Sequence, residues 1–219
     1  RFKSVLQAYA SLFSLVEVNS TFYKLPRLET AERWFKEARE VNESFEFTVK
    51  CSRMVTHDDR FASRASLEAF NRTLEVASQL KAGVLLVQTP ASFKPSEENL
   101  RRLSNFFSKI KSRIPIAFEP RGKDWREVVE RLCKKLNLIH CVDPFRDEPS
   151  SFSRRKIAYL RIHGLGKKSM YYYDFSKAEL RRLLRKVREL EKKAKEVYVL
   201  FNNVYMYKNA LEFVEILNR

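Results

Sequence analysis

GVLLVQTP, residues 83–90, is the stretch on which the fold turns. Four apolar residues run unbroken from Val84 to Val87, and the polar Gln88 follows at once. A strand buried on both faces reads as such a run, and the helices of βα crossovers are what cover both faces. The next segment supplies the helix. Ser96 follows Pro95, Glu97 and Glu98 occupy the first turn beside the positive end of the helix dipole, and helical spacing continues to residue 111. PIAFEPR, residues 115–121, then repeats the strand and closes on Glu119 and Arg121.

The unit recurs on both sides. Strands are expected near 14–18, 45–50, 83–88, 115–119, 138–142, 157–162 and 196–201. Helices are expected near 3–12, 29–41, 66–80, 96–111, 125–136, 176–195 and 207–217. Ser176 with Glu179, and Asp124 with Glu127, have capping-box spacing. No Pro-, Gly- and Ser-rich linker divides the chain, so residues 1–219 are read as one domain. Strand followed by helix seven times predicts an α/β fold with a parallel sheet, specifically a TIM-barrel-like (β/α) barrel. Seven strands are one short of eight, and the chain opens with a helix-like stretch, so a first strand is expected before residue 1. A doubly wound open sheet is the competing reading, in which functional groups would gather at one switch point.

Nearly every strand ends on polar residues. SLVEVNSTFY carries Glu17 and Asn19, FEFTVK ends on Lys50, and GVLLVQTP on Gln88. LIHCVDP ends on Asp143, IAYLRIHG on Arg161 and His163, and VYVLFNN on Asn202 and Asn203. In a parallel barrel these tips converge on one rim, where such enzymes hold their chemistry. Arg161 and His163 are two residues apart and share a strand face, as do Glu17 and Asn19.

Composition narrows the function. A net charge of +16 and pI near 9.9 attract anions: nucleic acid, anionic lipid or phosphorylated substrates. With 32% charged residues, a thermophile-like surface is the alternative source of that charge. Much of the excess lies in RRLLRKVRELEKKAKE, residues 181–196. The four glycines, Gly83, Gly122, Gly164 and Gly166, form neither GxGxxG nor GxxxxGK[ST], so no nicotinamide or flavin dinucleotide site is expected. Cys51, Cys133 and Cys141 have no CxxC spacing and suit a reducing cytosol, which makes a cytoplasmic protein the expectation. No apolar run is long enough for a membrane span.

Glu119, His163, Glu17 and Asp143 are the candidate catalytic residues, because carboxylates and an imidazole at strand tips suit general acid–base work. The same O and N donors make a divalent metal an option, although no spaced metal motif such as HExxH occurs. An ion-pair network across the strand tips is the alternative to both. Lys50, Arg121 and Arg161 form a candidate anion pocket, and Gln88, Asn19, Tyr23, His57, Asn202 and Asn203 are further candidate substrate contacts. His140, within a strand, reads as core. The loop aromatics Phe22, Tyr23, Trp125 and Tyr171–Tyr173 suit either stacking on a base or sugar, or packing. GLGKKS, residues 164–169, before the three tyrosines reads as a lid hinged at Gly164 and Gly166.

In order along the chain, EVNSTFYKLP, FEFTVK with MVTH, LLVQTPASFKP, IAFEPR with a downstream Trp, YLRIHG and VYVLFNN resemble the YecE-like family, domain of unknown function 72. The resemblance spans Glu17 to Leu217. It implies a TIM-barrel-like fold whose members begin with a glycine-containing VGTSG-type strand, which this sequence lacks. It marks the strand-tip residues, with Thr21, as the family's pocket, and brings no assigned reaction. The segment VYMYKN, residues 204–209, departs from the longer Gly-containing loop of the family. The expected function is an enzyme, a hydrolase or lyase type using acid–base chemistry on a small anionic or phosphorylated substrate. A nucleic-acid-binding or nucleic-acid-processing protein and a non-catalytic binding scaffold are the alternatives.

Overall fold

A computed structural model describes residues 2–218 and groups them into two compact units that divide after Leu138. In the first unit, α1 (Val5–Ala10), β1 (Leu15–Val18), α2 (Leu28–Arg39), β2 (Glu46–Lys50), α3 (Arg64–Gln79), β3 (Val84–Gln88), α4 (Glu97–Ser108), β4 (Ile116–Glu119) and α5 (Val129–Leu136) follow one another. The strands β1, β2, β3 and β4 lie side by side in that order and are all parallel. Val84–Val87 are all buried, as an uninterrupted apolar strand requires. The helices bury the outer face of this sheet. Phe70 of α3 meets Phe106 and Phe107 of α4 edge-on, and Phe61 meets Phe106 edge-on with Phe93 beside it.

The second unit contains β5 (Ile139–His140), β6 (Ile157–Ile162), α6 (Lys177–Glu191), β7 (Glu196–Phe201) and α7 (Met206–Leu217). β6 and β7 pair in parallel over their whole lengths, from Ile157↔Glu196 to Ile162↔Phe201. Leu180, Leu183, Val187 and Leu190 of α6, spaced three and four apart, turn one stripe onto Ala158, Leu160 and Ile162.

Local chemistry sets most element boundaries. Ser176 and Glu179 form the capping box at α6, with each side chain receiving the other's backbone N–H. Ser96 Oγ accepts from Asn99 N at the start of α4, and Ser63 Oγ from Ala65 N at α3. Asn137 ends α5 in the left-handed conformation, at φ 55°.

Three expectations need correction. Asp124 caps nothing: it lies in a 3-10 turn, Lys123–Trp125, paired with Lys94, and α5 starts later, at Val129. The strand expected over 138–142 shrinks to Ile139–His140, and beyond it Val142 forms an isolated parallel bridge to Leu160. Strand pairing falls in two sheets and does not run unbroken round a closed barrel among the described residues, so the parallel α/β fold stands and barrel closure does not.

Candidate functional site

Strand register in the first unit places the predicted residues on one face. Glu17 lies opposite Thr48, Lys50 opposite Leu86, and Gln88 opposite Glu119. Partners in register point the same way, and so do residues two apart on one strand. Glu17, Lys50, Gln88 and Glu119 therefore project from the same face at the carboxyl ends of β1–β4. At the first tip, Thr21 is buried and its hydroxyl lies 2.6 Å from Val18 O and 2.7 Å from Lys50 O. That shared donor holds the end of β1 to the end of β2. Beside it, Lys50 Nζ sits 4.4 Å over the ring of Phe22, and the His57 ring meets the same phenyl edge-on at 4.9 Å.

His57 belongs to a π-helical turn, Met54–Asp58, a rare geometry that is often found where function needs a side chain re-aimed. Its Nδ1 is 2.8 Å from the Thr56 hydroxyl. Burial, then Lys50 and Arg53, hold its pKa below the usual histidine value, so the ring is neutral at pH 7. Asn19 precedes a 3-10 turn, Ser20–Phe22, and is half-buried. Tyr23 turns outward at 76% exposure, its edge on Phe22.

At β4, the buried Glu119 receives Arg121 Nη2 at 2.9 Å. The two neutralise each other, so Arg121 as an anion holder works only in concert with Glu119. The Gln88 amide donates to Thr89 O at 3.2 Å, and Thr89 N donates to Glu119 O at 3.1 Å. Trp125, expected among the loop aromatics, is buried: its Nε1 donates to Phe93 O at 3.0 Å and its ring stacks on Phe93. It is core and offers no stacking face.

In the second unit Asp143 is the organising group. It is buried, and its two oxygens accept backbone N–H groups from Phe145 and His163, each at 3.0 Å. The same Oδ2 lies 3.5 Å from His163 Nδ1 and 3.9 Å from Arg146 Nε. Arg146 was not legible beforehand. A turn over Asp143–Arg146 delivers it, and its Nη2 donates to Gly164 O at 2.9 Å. His163 and Arg161 are both 1% exposed, and the Tyr171 ring meets the His163 imidazole edge-on at 5.7 Å. His140 is buried, with Nδ1 2.9 Å from Ser150 Oγ.

Asn202 is half-buried at the end of β7, and its N–H extends the pairing to Ile162 O. Asn203 is bound into the scaffold: Nδ2 donates to Tyr173 O at 2.7 Å and to Asn209 Oδ1 at 2.8 Å. Asn209, fully buried on α7, also donates to Asp174 Oδ1 and receives Phe175 N. A lone Asn in VYMYKN carries no signal of that role. A Cβ on Gly166 would lie 2.1 Å from Ser169 O, and one on Gly164 2.5 Å from Met170 O. Both glycines exist for close backbone contact. Among the described residues no three His, Cys, Asp or Glu side chains gather closely enough to hold a metal ion, so no metal site is built from them. No helix among them is long and apolar enough to cross a membrane.

The whole chain, residues 1–219, matches the family described as protein of unknown function DUF72, and it belongs to that family. It is 28% identical to the UPF0759 protein YunF of Bacillus subtilis (strain 168), across 90% of this chain and 80% of that one. Among solved structures it resembles a DUF72 family protein from Enterococcus faecalis V583, with TM-score 0.83, 25% identity, and 99% and 89% of the two chains covered. It also resembles one from Thermotoga maritima MSB8, with TM-score 0.76, 29% identity, and 97% and 87% covered.

Proposed function

We propose that this DUF72 protein is an acid–base enzyme for a small anionic substrate, working at the carboxyl ends of its parallel strands. The observation that supports the reading best is the buried Asp143–His163 couple. A carboxylate facing Nδ1 orients an imidazole and favours the tautomer that leaves Nε2 to take or give a proton. The 3.5 Å separation is long for a hydrogen bond, and such contacts tighten when substrate closes a site. Arg146 and Arg161 supply cationic charge in the same unit, suited to a phosphate or carboxylate.

In the first unit, Lys50 and the neutral His57 beside it form a second cation–imidazole set. Glu119, held by Arg121, is the carboxylate that the sequence singled out for proton transfer. A metal-dependent route is not part of this reading.

A panel of phosphate mono- and diesters and carboxylic esters tests it, read by turnover and by ligand-dependent thermal stabilisation. The expected result is turnover of one ester class, lowered at least a hundredfold in His163→Gln, while the circular dichroism spectrum is kept. Wild-type protein that neither turns over nor is stabilised by any member refutes the proposal.

A further inference from the structure

The second unit carries an exposed patch that the acid–base reading does not use. Tyr171 and Tyr172 are 42% and 65% exposed, and Val204 and Met206 are exposed beside them. The patch is ordered by its own backbone. Val204 N donates to Tyr171 O at 2.7 Å, and Tyr172 N to Ser169 O at 3.1 Å. The Tyr172 and Tyr205 rings meet at 5.6 Å with 63° between their planes, and Tyr172 remains largely exposed. Gly166 approaches Ser169 O and Tyr172 O so closely that the turn between them folds back onto the tyrosines. Lys167 and Lys168 sit on that turn, exposed. Neither enters an ion pair among the described residues, and Asp174, the next acid along the chain, pairs with Lys208 at 2.6 Å.

We infer that this patch binds single-stranded nucleic acid: unpaired bases stack on Tyr171 and Tyr172, and backbone phosphates lie against Lys167 and Lys168. Flat, exposed π-faces beside uncompensated ammonium groups are the combination that such strands recognise, without reading sequence. Charge decides against a protein or lipid occupant of mainly apolar character, because the lysines would lose water there and gain no counter-charge. The overall charge of +16 adds long-range attraction for a polyanion. The inference does not rest on the Asp143–His163 chemistry, although the Tyr171 ring abuts the His163 imidazole at 5.7 Å.

The test is fluorescence anisotropy with labelled oligothymidine of about 12 nucleotides, long enough for one such site, on the full chain. Saturable binding is expected at about 50 mM salt, weakening as salt rises because bound phosphates release counterions. Tyr172→Ala is expected to weaken it about tenfold to a hundredfold, with Tyr172→Phe near wild type, because stacking and not the hydroxyl does the holding. The double change Lys167→Ala with Lys168→Ala is expected to reduce the slope of log affinity against log salt by about 1.4. Both sites are exposed, so unchanged thermal melting confirms that the fold is kept. The inference is overturned by no saturable binding, by binding that these variants leave unchanged (the basic face of α6 then being responsible), or by duplex of equal length binding as tightly. Loss of self-association or of anionic-vesicle binding in the variants, without loss of oligonucleotide binding, overturns it as well.

Discussion

Asp143→Ala is the most informative single change. The carboxylate accepts two backbone N–H groups at 3.0 Å, faces His163 Nδ1 at 3.5 Å, and is buried. Each hydrogen bond to a charged group contributes about 1.5–3 kcal/mol. An alanine leaves two buried donors unmet and two basic side chains without their shared anion. Those losses overlap, so the expected destabilisation is about 3–5 kcal/mol. In a chain of this length that lowers the melting temperature by about 6–20 °C. Asp143→Asn keeps an acceptor oxygen and is expected to cost about 1–2 kcal/mol. Urea unfolding followed by circular dichroism gives both numbers. A double-mutant cycle with His163→Ala separates the side-chain contact from the backbone bonds, which that second change leaves in place; coupling above about 0.5 kcal/mol is expected. An alanine variant as stable as wild type, or an asparagine variant as damaged as the alanine one, refutes the reasoning. Zero coupling refutes the dyad while sparing the backbone role.

Two further predictions concern the two glycine- and histidine-bearing loops. The folded chain holds His57 less basic than the unfolded chain does, so below about pH 6.5 the unfolded state binds more protons and stability falls as pH drops. Urea midpoints at pH 7.5 and 5 are expected to differ less for His57→Gln than for wild type; an equal difference removes His57 from the acid limb. Gly166→Ala drives a Cβ against two backbone oxygens and is expected to cost about 1–3 kcal/mol and to open the turn. Faster tryptic cleavage after Lys167 or Lys168 is the readout, and unchanged cleavage contradicts the crowding.

Most of the fold was readable because both-face burial leaves a mark in sequence. Val84–Val87 and Ile157–Leu160 announce strands by their unbroken apolar runs, and Ser176 with Glu179 announces a helix start. The strand at Ile139–His140 was overdrawn because the apolar run continues through buried Cys141 and Val142, of which Val142 makes only an isolated bridge to Leu160. The tip residues were legible as a class, since a polar group ending a buried strand needs a reason. Their partners were not. That Arg121 is spent on Glu119, that Arg146 reaches Gly164, and that Asn203 serves Asn209 are facts of turn geometry, which residue order does not encode. For Trp125 stacking and packing both stayed open, because an aromatic in a loop and an aromatic under a loop look alike in sequence, and the structure selects packing.

Glu179 has a role beyond its helix cap. One of its oxygens receives Ser176 N and the other receives the Tyr173 hydroxyl at 2.5 Å. A single carboxylate therefore clamps the chain at Tyr173, and everything from Gly166 to Tyr172 hangs upstream of the clamp. Substitutions in that upstream segment can alter what the surface grips while the start of α6 keeps its place. Tyr173 is thus held at its hydroxyl by Glu179 and at its carbonyl by Asn203, which ties the tyrosine segment both to the start of α6 and to the end of β7.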